Sequence, residues 1–447
     1  MTDFIANIPL LTAPEAMDRI PVEVLLLIYD FLDGPAPSER RLHDQPSHDM
    51  LQAPSDALCP LKGASLVSKS WRTLLLPILF RHVQWKPKVS SLRAFTLNPI
   101  PLLRFLVENR IARDVVTFTL VITFYDQAAV DSQQTSEIRP ADLEWLWDQL
   151  FSVLDPLRFT VIARPTTLAA LLSRMLFLDE AWAFDVPYHI LSLARSTREP
   201  QSPAAEGERA GVPETEPHLP GSADESAGDP PPPAEPSTPE RHWRRRRPAS
   251  LAVRPRKPPP CPLFTARPWT SLLLNEGSST KVYRVYEFFL RRPPSMLGAL
   301  LGCEEHPNDA PLLPASVVDL SYVAIFPLSS HVETLLRHLP PRLRRLFVRL
   351  TPGPGCGILG DARAMRHIDP ADLWMERDTA YGFLMRELAS PVGNWAALRV
   401  FESGDASDRE AWDMVVQTLE DSGTNAWRVE REGVLVRRAD GEEETPL

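Results

Sequence analysis

Cysteine is scarce: a chain of 447 residues carries four, namely Cys59, Cys261, Cys303 and Cys356, far apart and with no Cys-x-x-Cys pair. A disulfide framework or zinc site is therefore not expected, and a reducing compartment is the default. No apolar run reaches the roughly 18 residues that a membrane span needs. The opening MTDFIANIPLLTAPEAMD has no basic segment ahead of its apolar residues, so no secretory signal is expected. Cytoplasm and/or nucleus is the expected address. The sequence also lacks a G-x-S-x-G elbow, a Walker loop and an H-E-x-x-H pair. Its histidines, such as His82, His331 and His338, stand singly. No catalytic residue, metal ligand or cofactor is expected, and the chain does not read as an enzyme.

Apolar residues make up 44% and charged residues 24%, which is ordinary globular usage and allows a sizeable core. The length allows two or three domains. The net charge of −10 is spread out, which argues against a nucleic-acid-binding body. Proline stands out at 47 residues, about twice the usual share. Residues 197–262 are about a quarter proline and nearly free of aliphatic side chains. Such a stretch buries too little surface to offset its chain entropy, so it is expected to be a disordered linker. A second polar insertion, 33–56, is expected to be disordered as well.

The linker separates two bodies, 84–196 and 263–440. Both show helical periods leading into short β-branched runs: PLLRFLVEN into DVVTFTLVITF, ADLEWLWDQLFSVL into PLRFTVIA, SHVETLLRHL into PRLRRLFVRL, AYGFLMREL into WAALRVFES. DREAWDMVVQTLEDSG likewise leads into AWRVERE and VLVRR. Alternation of this kind implies a mainly parallel sheet. It fits a degenerate helix–strand solenoid with strands lining one curved face. Two small α/β layers split by the linker are the alternative.

The start of the chain is different. In IPVEVLLLIYDFL, residues 20–32, Val24, Leu25, Ile28, Phe31 and Leu32 recur at three- and four-residue spacing. Pro21 suits a first helical turn. Leu26, Leu27 and Tyr29 make the helix apolar nearly all round, so it needs cover on more than one side. In LKGASLVSKSWRTLLLPILFRHV, residues 61–83, Leu61, Ala64, Leu66, Val67 and Trp71 fall at helix-like intervals. Ser68 is placed to cap a third helix, Lys69 to about Leu76, with Pro77 marking its end or a kink. Three short helices cannot hide this much apolar surface among themselves, and the remainder calls for a partner.

Ile20-Pro21-Val22-Glu23-Val24-Leu25, Ile28, Phe31-Leu32 and then Ser65-Leu66-Val67-Ser68-Lys69-Ser70-Trp71-Arg72 follow the pattern L-P-x-E-[LV]-L-x-x-I-x-x-[FY]-L … S-L-V-x-[KR]-x-W-R, except that Ile20 replaces the first leucine and residues 33–56 lengthen the first loop. The segment 13–83 resembles an F-box, and LLLPILFRHVQW, residues 74–85, resembles its continuation in fungal members of that family. The resemblance implies docking onto the Skp-type adaptor of a cullin–RING ubiquitin ligase, with the C-terminal body presenting a target protein. It points to Pro21, Val24, Leu25, Ile28, Leu32, Leu66 and Val67 as adaptor contacts. Phe31 and Trp71 are assigned to the module core, and Ile28 too weighs more toward core than contact.

The expected fold class is α+β or α/β. An N-terminal three-helix F-box-like module precedes an irregular, degenerate leucine-rich-repeat-like helix–strand body with a long disordered insertion. The expected function is a substrate-recognition adaptor of a Skp–cullin–F-box ligase, with an unknown target, no membrane and no nucleic-acid partner. Two other readings stand beside it. Gly355-Cys-Gly357-Ile-Leu-Gly360 matches the G-x-G-x-x-G dinucleotide pattern, with Glu376 at a suggestive distance, which would make the chain a nucleotide-binding enzyme. An F-box interaction protein outside ubiquitin ligases is the other. The basic run Arg241–Lys257 is readable as an import signal or as the basic end of an ampholytic linker. Trp145, Trp147, Phe151 and the run Tyr283, Tyr286, Phe288, Phe289 are expected in the core, with some as hot spots on a target-binding face.

Overall fold

The computed structural model describes residues 20–34, 36–46, 60–87, 97–122, 140–174, 183–186, 188–198, 261–291, 293, 295–303, 310–353, 355–389, 392–423 and 426–438. Among them one ten-stranded mixed sheet organises the body. Its strands are β1 (His82–Trp85), β2 (Thr117–Val121), β3 (Arg158–Ala163), β4 (His189–Ala194), β5 (Ser271–Ser278), β6 (Asp319–Ile325), β7 (Arg345–Arg349), β8 (Val400–Ser403), β9 (Trp427–Arg431) and β10 (Val434–Arg437). They lie side by side in chain order as far as β8, and β10 then sits between β8 and β9. The runs β1–β3 and β5–β8 are parallel. β4 is antiparallel to both neighbours, as is β10.

The α/β character holds, but the mainly parallel sheet expected from the sequence is mixed. The β9–β10 connection is the two residues Glu432 and Gly433, which permit only antiparallel pairing. β4 reverses on one side of residues 197–262, and β5 returns on the other. These two strands pair from Ile190–Asn275 to Ala194–Ser271. The bodies expected as 84–196 and 263–440 therefore share one sheet, which overturns the alternative of two separate layers. Of the 197–262 stretch, most lies outside the described residues.

The helices are α1 (Val22–Leu32), α2 (Pro37–Arg40), α3 (Pro60–Ala64), α4 (Lys69–Leu79), α5 (Ile100–Glu108), α6 (Pro140–Val153), α7 (Pro165–Leu171), α8 (Pro262–Thr265), α9 (Met296–Leu301), α10 (Ser329–His338), α11 (Pro370–Ala389) and α12 (Arg409–Asp421). Helices α5 to α12 cover one face of the sheet. Alternate strand residues point to opposite faces, and in-register pairing stacks them in rows. The row Phe118, Phe159, Leu193, Leu272, Leu320, Leu346, Phe401 and the row Leu120, Val161, Leu191, Leu274, Tyr322, Val348 enter one continuous core with the helices. Phe118 stacks on Phe159, and Trp147 of α6 meets Phe159 edge-on at 5.7 Å.

Buried carboxylates tie helices and loops to the strands. Glu276 accepts from Met296 N at 2.6 Å, at the start of α9, and from Tyr322 Oη at 2.9 Å. Burial raises its pKa, against these hydrogen bonds. Asp405 accepts from Leu350 N at 2.7 Å and Tyr381 Oη at 2.6 Å. Gly433 turns the β9–β10 hairpin at φ +79°, and a Cβ there would lie 2.9 Å from both Ala406 Cβ and Ser403 O. Only glycine fits this position.

The other face carries a row of opposite charges. Arg345 donates to Asp319 at 3.1 Å and to Glu402 at 2.5 Å, and Arg158 donates to Ser192 Oγ at 3.2 Å. The insertion 33–56, expected to be disordered, is described at 33–34 and 36–46. There it forms α2, then a turn closed by Asp44 N donating to Arg41 O, and it packs on this face. Leu42 is buried among Val121, Ile162, Tyr188, Ile190 and Leu273. No periodic signal marks this in the sequence, because only one aliphatic side chain, Leu42, in a polar stretch enters the pocket.

His189 on β4 is fully buried, edge-on to Phe184, and neither ring nitrogen has a partner among the described residues. Burial lowers its pKa to about 3. The folded chain thus keeps it neutral, while the unfolded chain protonates it near the ordinary value of 6.5. Its share of stability is intact above that value, falls as pH drops, and is fully lost near the folded pKa. His331, lowered to about 4 by burial, acts in the same window. Replacing His189→Phe should flatten the denaturant-derived stability curve between these limits, by on the order of 3–5 kcal/mol at the acid end. An unchanged slope would show that His189 does not titrate in this way.

Candidate functional site

The N-terminal module is built from α1, α3 and α4. Pro21 precedes α1 with φ −54°, and its carbonyl accepts from Val24 N and Leu25 N, starting the helix. Ser68 Oγ accepts from Trp71 N at 3.1 Å, capping α4 as the sequence indicates. That helix continues past the expected end near Leu76 to Leu79, with Pro77 inside it. A proline in a last turn removes only one backbone hydrogen bond. The module core is small: Leu25, Tyr29, Leu61, Leu75 and Ile78, with Ile20, Ala64, Trp71 and Leu79 partly buried against them. Tyr29 and Trp71 meet edge-on at 5.8 Å.

On α1 the buried side chains are Leu25 and Tyr29, one turn apart. Val24, Leu27, Ile28 and Phe31 follow at i, i+3, i+4 and i+7. At 100° per residue they centre roughly 130° away from the buried pair, on their own stripe. All four are exposed; Leu27 is 70% and Phe31 89% accessible. Val22, Leu26 and Leu32 are exposed too. In the turn between α3 and α4, Leu66 and Val67 are 73% and 68% accessible. This is apolar surface that the module's own chain leaves in water.

The sequence-derived sites divide accordingly. Pro21, Val24, Ile28, Leu32, Leu66 and Val67 lie exposed on the module. Leu25 does not: it is 5% accessible and belongs to the core, because it faces α3 and α4 together with Tyr29. Phe31, assigned to the core, is instead the most exposed apolar residue of α1, and Ile28 also faces outward. Trp71 is partly buried in the module core. Leu27 was not among the expected contacts. Its signal was the second stripe, readable once Leu25 and Tyr29 are set aside as the inward pair.

Charge clamps the far end of α1 to the chain after α4. Arg81 donates to Asp30 at 2.8 Å and to Asp33 at 3.2 Å. Burial raises the Asp33 pKa, with His82 and Arg81 opposing. Burial lowers that of His82, with Asp33 and Glu39 opposing. His82 shares a hydrogen bond with Thr117 on β2 at 2.9 Å. These contacts fix α1 against the first strands and leave its outer stripe free of polar partners.

The other sequence signals fall elsewhere. Gly357–Gly360 is a single 3-10 turn, and the next helix, α11, starts at Pro370. The loop therefore lacks the helix N-terminus that a pyrophosphate would need. Glu376 accepts from Ser329 N at 2.6 Å, at the start of α10. Trp147, Phe151, Tyr283 and Phe288 are buried, whereas Trp145, Tyr286 and Phe289 are exposed and so are not core. The run Arg241–Lys257 lies outside the described residues. Among the described residues no helix is long and apolar enough to cross a membrane, and no group of three or more His, Cys, Asp or Glu could hold a metal ion.

Compared with models of protein families, with curated proteins and with solved structures, the chain matches none.

The two stripes separate by mutation. Leu25→Ala should destabilise the module by about 2–5 kcal/mol through its cavity, read as loss of hydrogen-exchange protection in α1, α3 and α4. Phe31→Ser should leave that protection within about 0.5 kcal/mol. Equal effects would mean that the outer stripe is packed in solution.

Proposed function

We propose that this chain is the target-recruiting subunit of a Skp–cullin–F-box ubiquitin ligase. The α1–α3–α4 module docks the Skp-type adaptor, and the body, a degenerate leucine-rich-repeat-like array of helices and strands, presents a target protein. One observation carries the reading: α1 has a second apolar stripe, Val24–Leu27–Ile28–Phe31, beside the one that holds the module together. It stands on a segment that resembles the F-box pattern, with Ile20 in place of its first leucine. Fully covering a side chain of this size is worth about 1.5–3 kcal/mol. Leu27, Phe31, Leu66 and Val67, with the half-exposed Val24, Ile28 and Leu32, can together outweigh an association cost on the order of 4–15 kcal/mol.

The chain would supply no chemistry of its own. Its contribution is proximity, which raises the effective concentration of the target near the transferred ubiquitin. The loop Gly355–Gly360 gives the nucleotide-enzyme reading no support, since its glycines form an isolated turn. An intracellular address in cytoplasm or nucleus accompanies the proposal.

The test is co-expression of the full chain with a Skp-type adaptor, followed by gel filtration. The wild type should co-elute with it. Leu27→Asp and Phe31→Asp should each reduce co-elution at least tenfold while circular dichroism stays unchanged, whereas Tyr286→Ser on the body should not. A folded wild-type chain that forms no complex overturns the proposal. Capture of the adaptor without any cullin from cell extract would place the chain outside ubiquitin ligases.

A further inference from the structure

The face of the sheet opposite helices α5 to α12 holds a segment of the chain in the manner of a bound peptide. Residues 41–46, Arg41-Leu42-His43-Asp44-Gln45-Pro46, lie across the middle strands. Leu42 fills an apolar pocket formed by Val121, Ile162, Tyr188, Ile190 and Leu273. His43 stacks on Phe347 at 4.5 Å, 12° from parallel. Gln45 Oε1 accepts from Cys356 Sγ at 2.7 Å, and Pro46 packs against Gly277.

Asn275 makes the arrangement specific. It sits in the middle of β5, fully buried, at a position where a sheet alone would be served by an aliphatic side chain. Its Oδ1 accepts from Gly277 N at 3.0 Å. Both amide protons go to main-chain carbonyls of the segment: Leu42 O at 2.9 Å and Asp44 O at 2.7 Å. A buried amide that spends both donors on another segment's backbone reads that backbone, while the Leu42 pocket and the Phe347 ring read its side chains. This division between main-chain hydrogen bonds and side-chain pockets is how proteins hold short peptides. The stretch shapes itself: its own turn is closed by Asp44 N donating to Arg41 O, and Arg41 Nε donates to Asp44 Oδ2 at 2.9 Å.

We propose that this face is a peptide-binding site. Its ligand is a turn-forming protein segment with adjacent aliphatic and aromatic or imidazole residues and a proline at the fourth position after the aliphatic one. Residues 41–46 occupy the site as an intrachain pseudo-ligand that such a segment displaces. The site does not rest on the ligase reading, and its assay contains no adaptor.

The test uses the full chain and a fluorescein-labelled peptide with the sequence of residues 39–46. In Leu42→Asp the built-in segment is expelled, and fluorescence polarisation should show saturable binding at least tenfold tighter than to the wild type. A scrambled peptide should not bind. Adding Asn275→Leu to Leu42→Asp should weaken the peptide again by about tenfold, one to two hydrogen bonds' worth. A second variant, with 41–46 replaced by a glycine–serine spacer of equal length, should bind like Leu42→Asp, and circular dichroism checks folding of both. Folded variants that bind neither peptide overturn the proposal, as does equal binding by wild type and variant, or by the scrambled sequence. Failure of both variants to fold overturns it too, since the segment would then be a fixed part of the core.

Discussion

Strand geometry forces every other residue of a sheet to the opposite face, and helices α5 to α12 all cover the same face of this one. That constraint organises the described chain. On the covered side the rows from Phe118 to Phe401 and from Leu120 to Val348 make a single core out of helices on both sides of the long linker in sequence. On the other side the same strands must still satisfy Asp319, Arg345 and Glu402, which pair along one line across β6, β7 and β8, and Arg158, which donates to Ser192 on β4. Burial raises the Asp319 pKa, with Arg345 beside it opposing. The apolar residues left on that side, Val121, Ile162, Ile190 and Leu273, draw in the segment that follows α2.

Much of this was readable from local pattern. Helix–strand pairs such as ADLEWLWDQLFSVL into PLRFTVIA state their periods within a dozen residues, and so does the Ser68 cap. β4 and β5 border the proline-rich stretch, and LLLNEGS has no alternation that separates a buried strand from a buried helix. Their antiparallel pairing depends on where the chain returns, which no local period encodes. Leu42 shows the limit most clearly. Its pocket is assembled from four strand or loop segments, and its main-chain partner Asn275 is 233 residues away.

The module's misassignment has a different origin. A helix that is apolar nearly all round offers several candidate inner faces, and sequence alone ranked Phe31 inside and Leu25 outside. The packed pair Leu25–Tyr29 reverses this: it closes the small core with Leu61, Leu75 and Ile78, and Trp71 meets Tyr29 edge-on. The small inner contact is what leaves the outer stripe available. A larger module core would have hidden Leu27 and Phe31, and with them the surface on which the functional proposal stands.

The hairpin at the sheet's last edge sets a limit of its own. After Trp427, every residue of β9 is exposed, and Arg428, Glu430 and Arg431 crowd its rim. A foreign strand adding to that rim would have to strip water from guanidinium and carboxylate groups before gaining a backbone bond. Gly433, by forcing the tight reversal, places these charges outermost. The array thus ends in a charged rim that disfavours further strand addition at that edge.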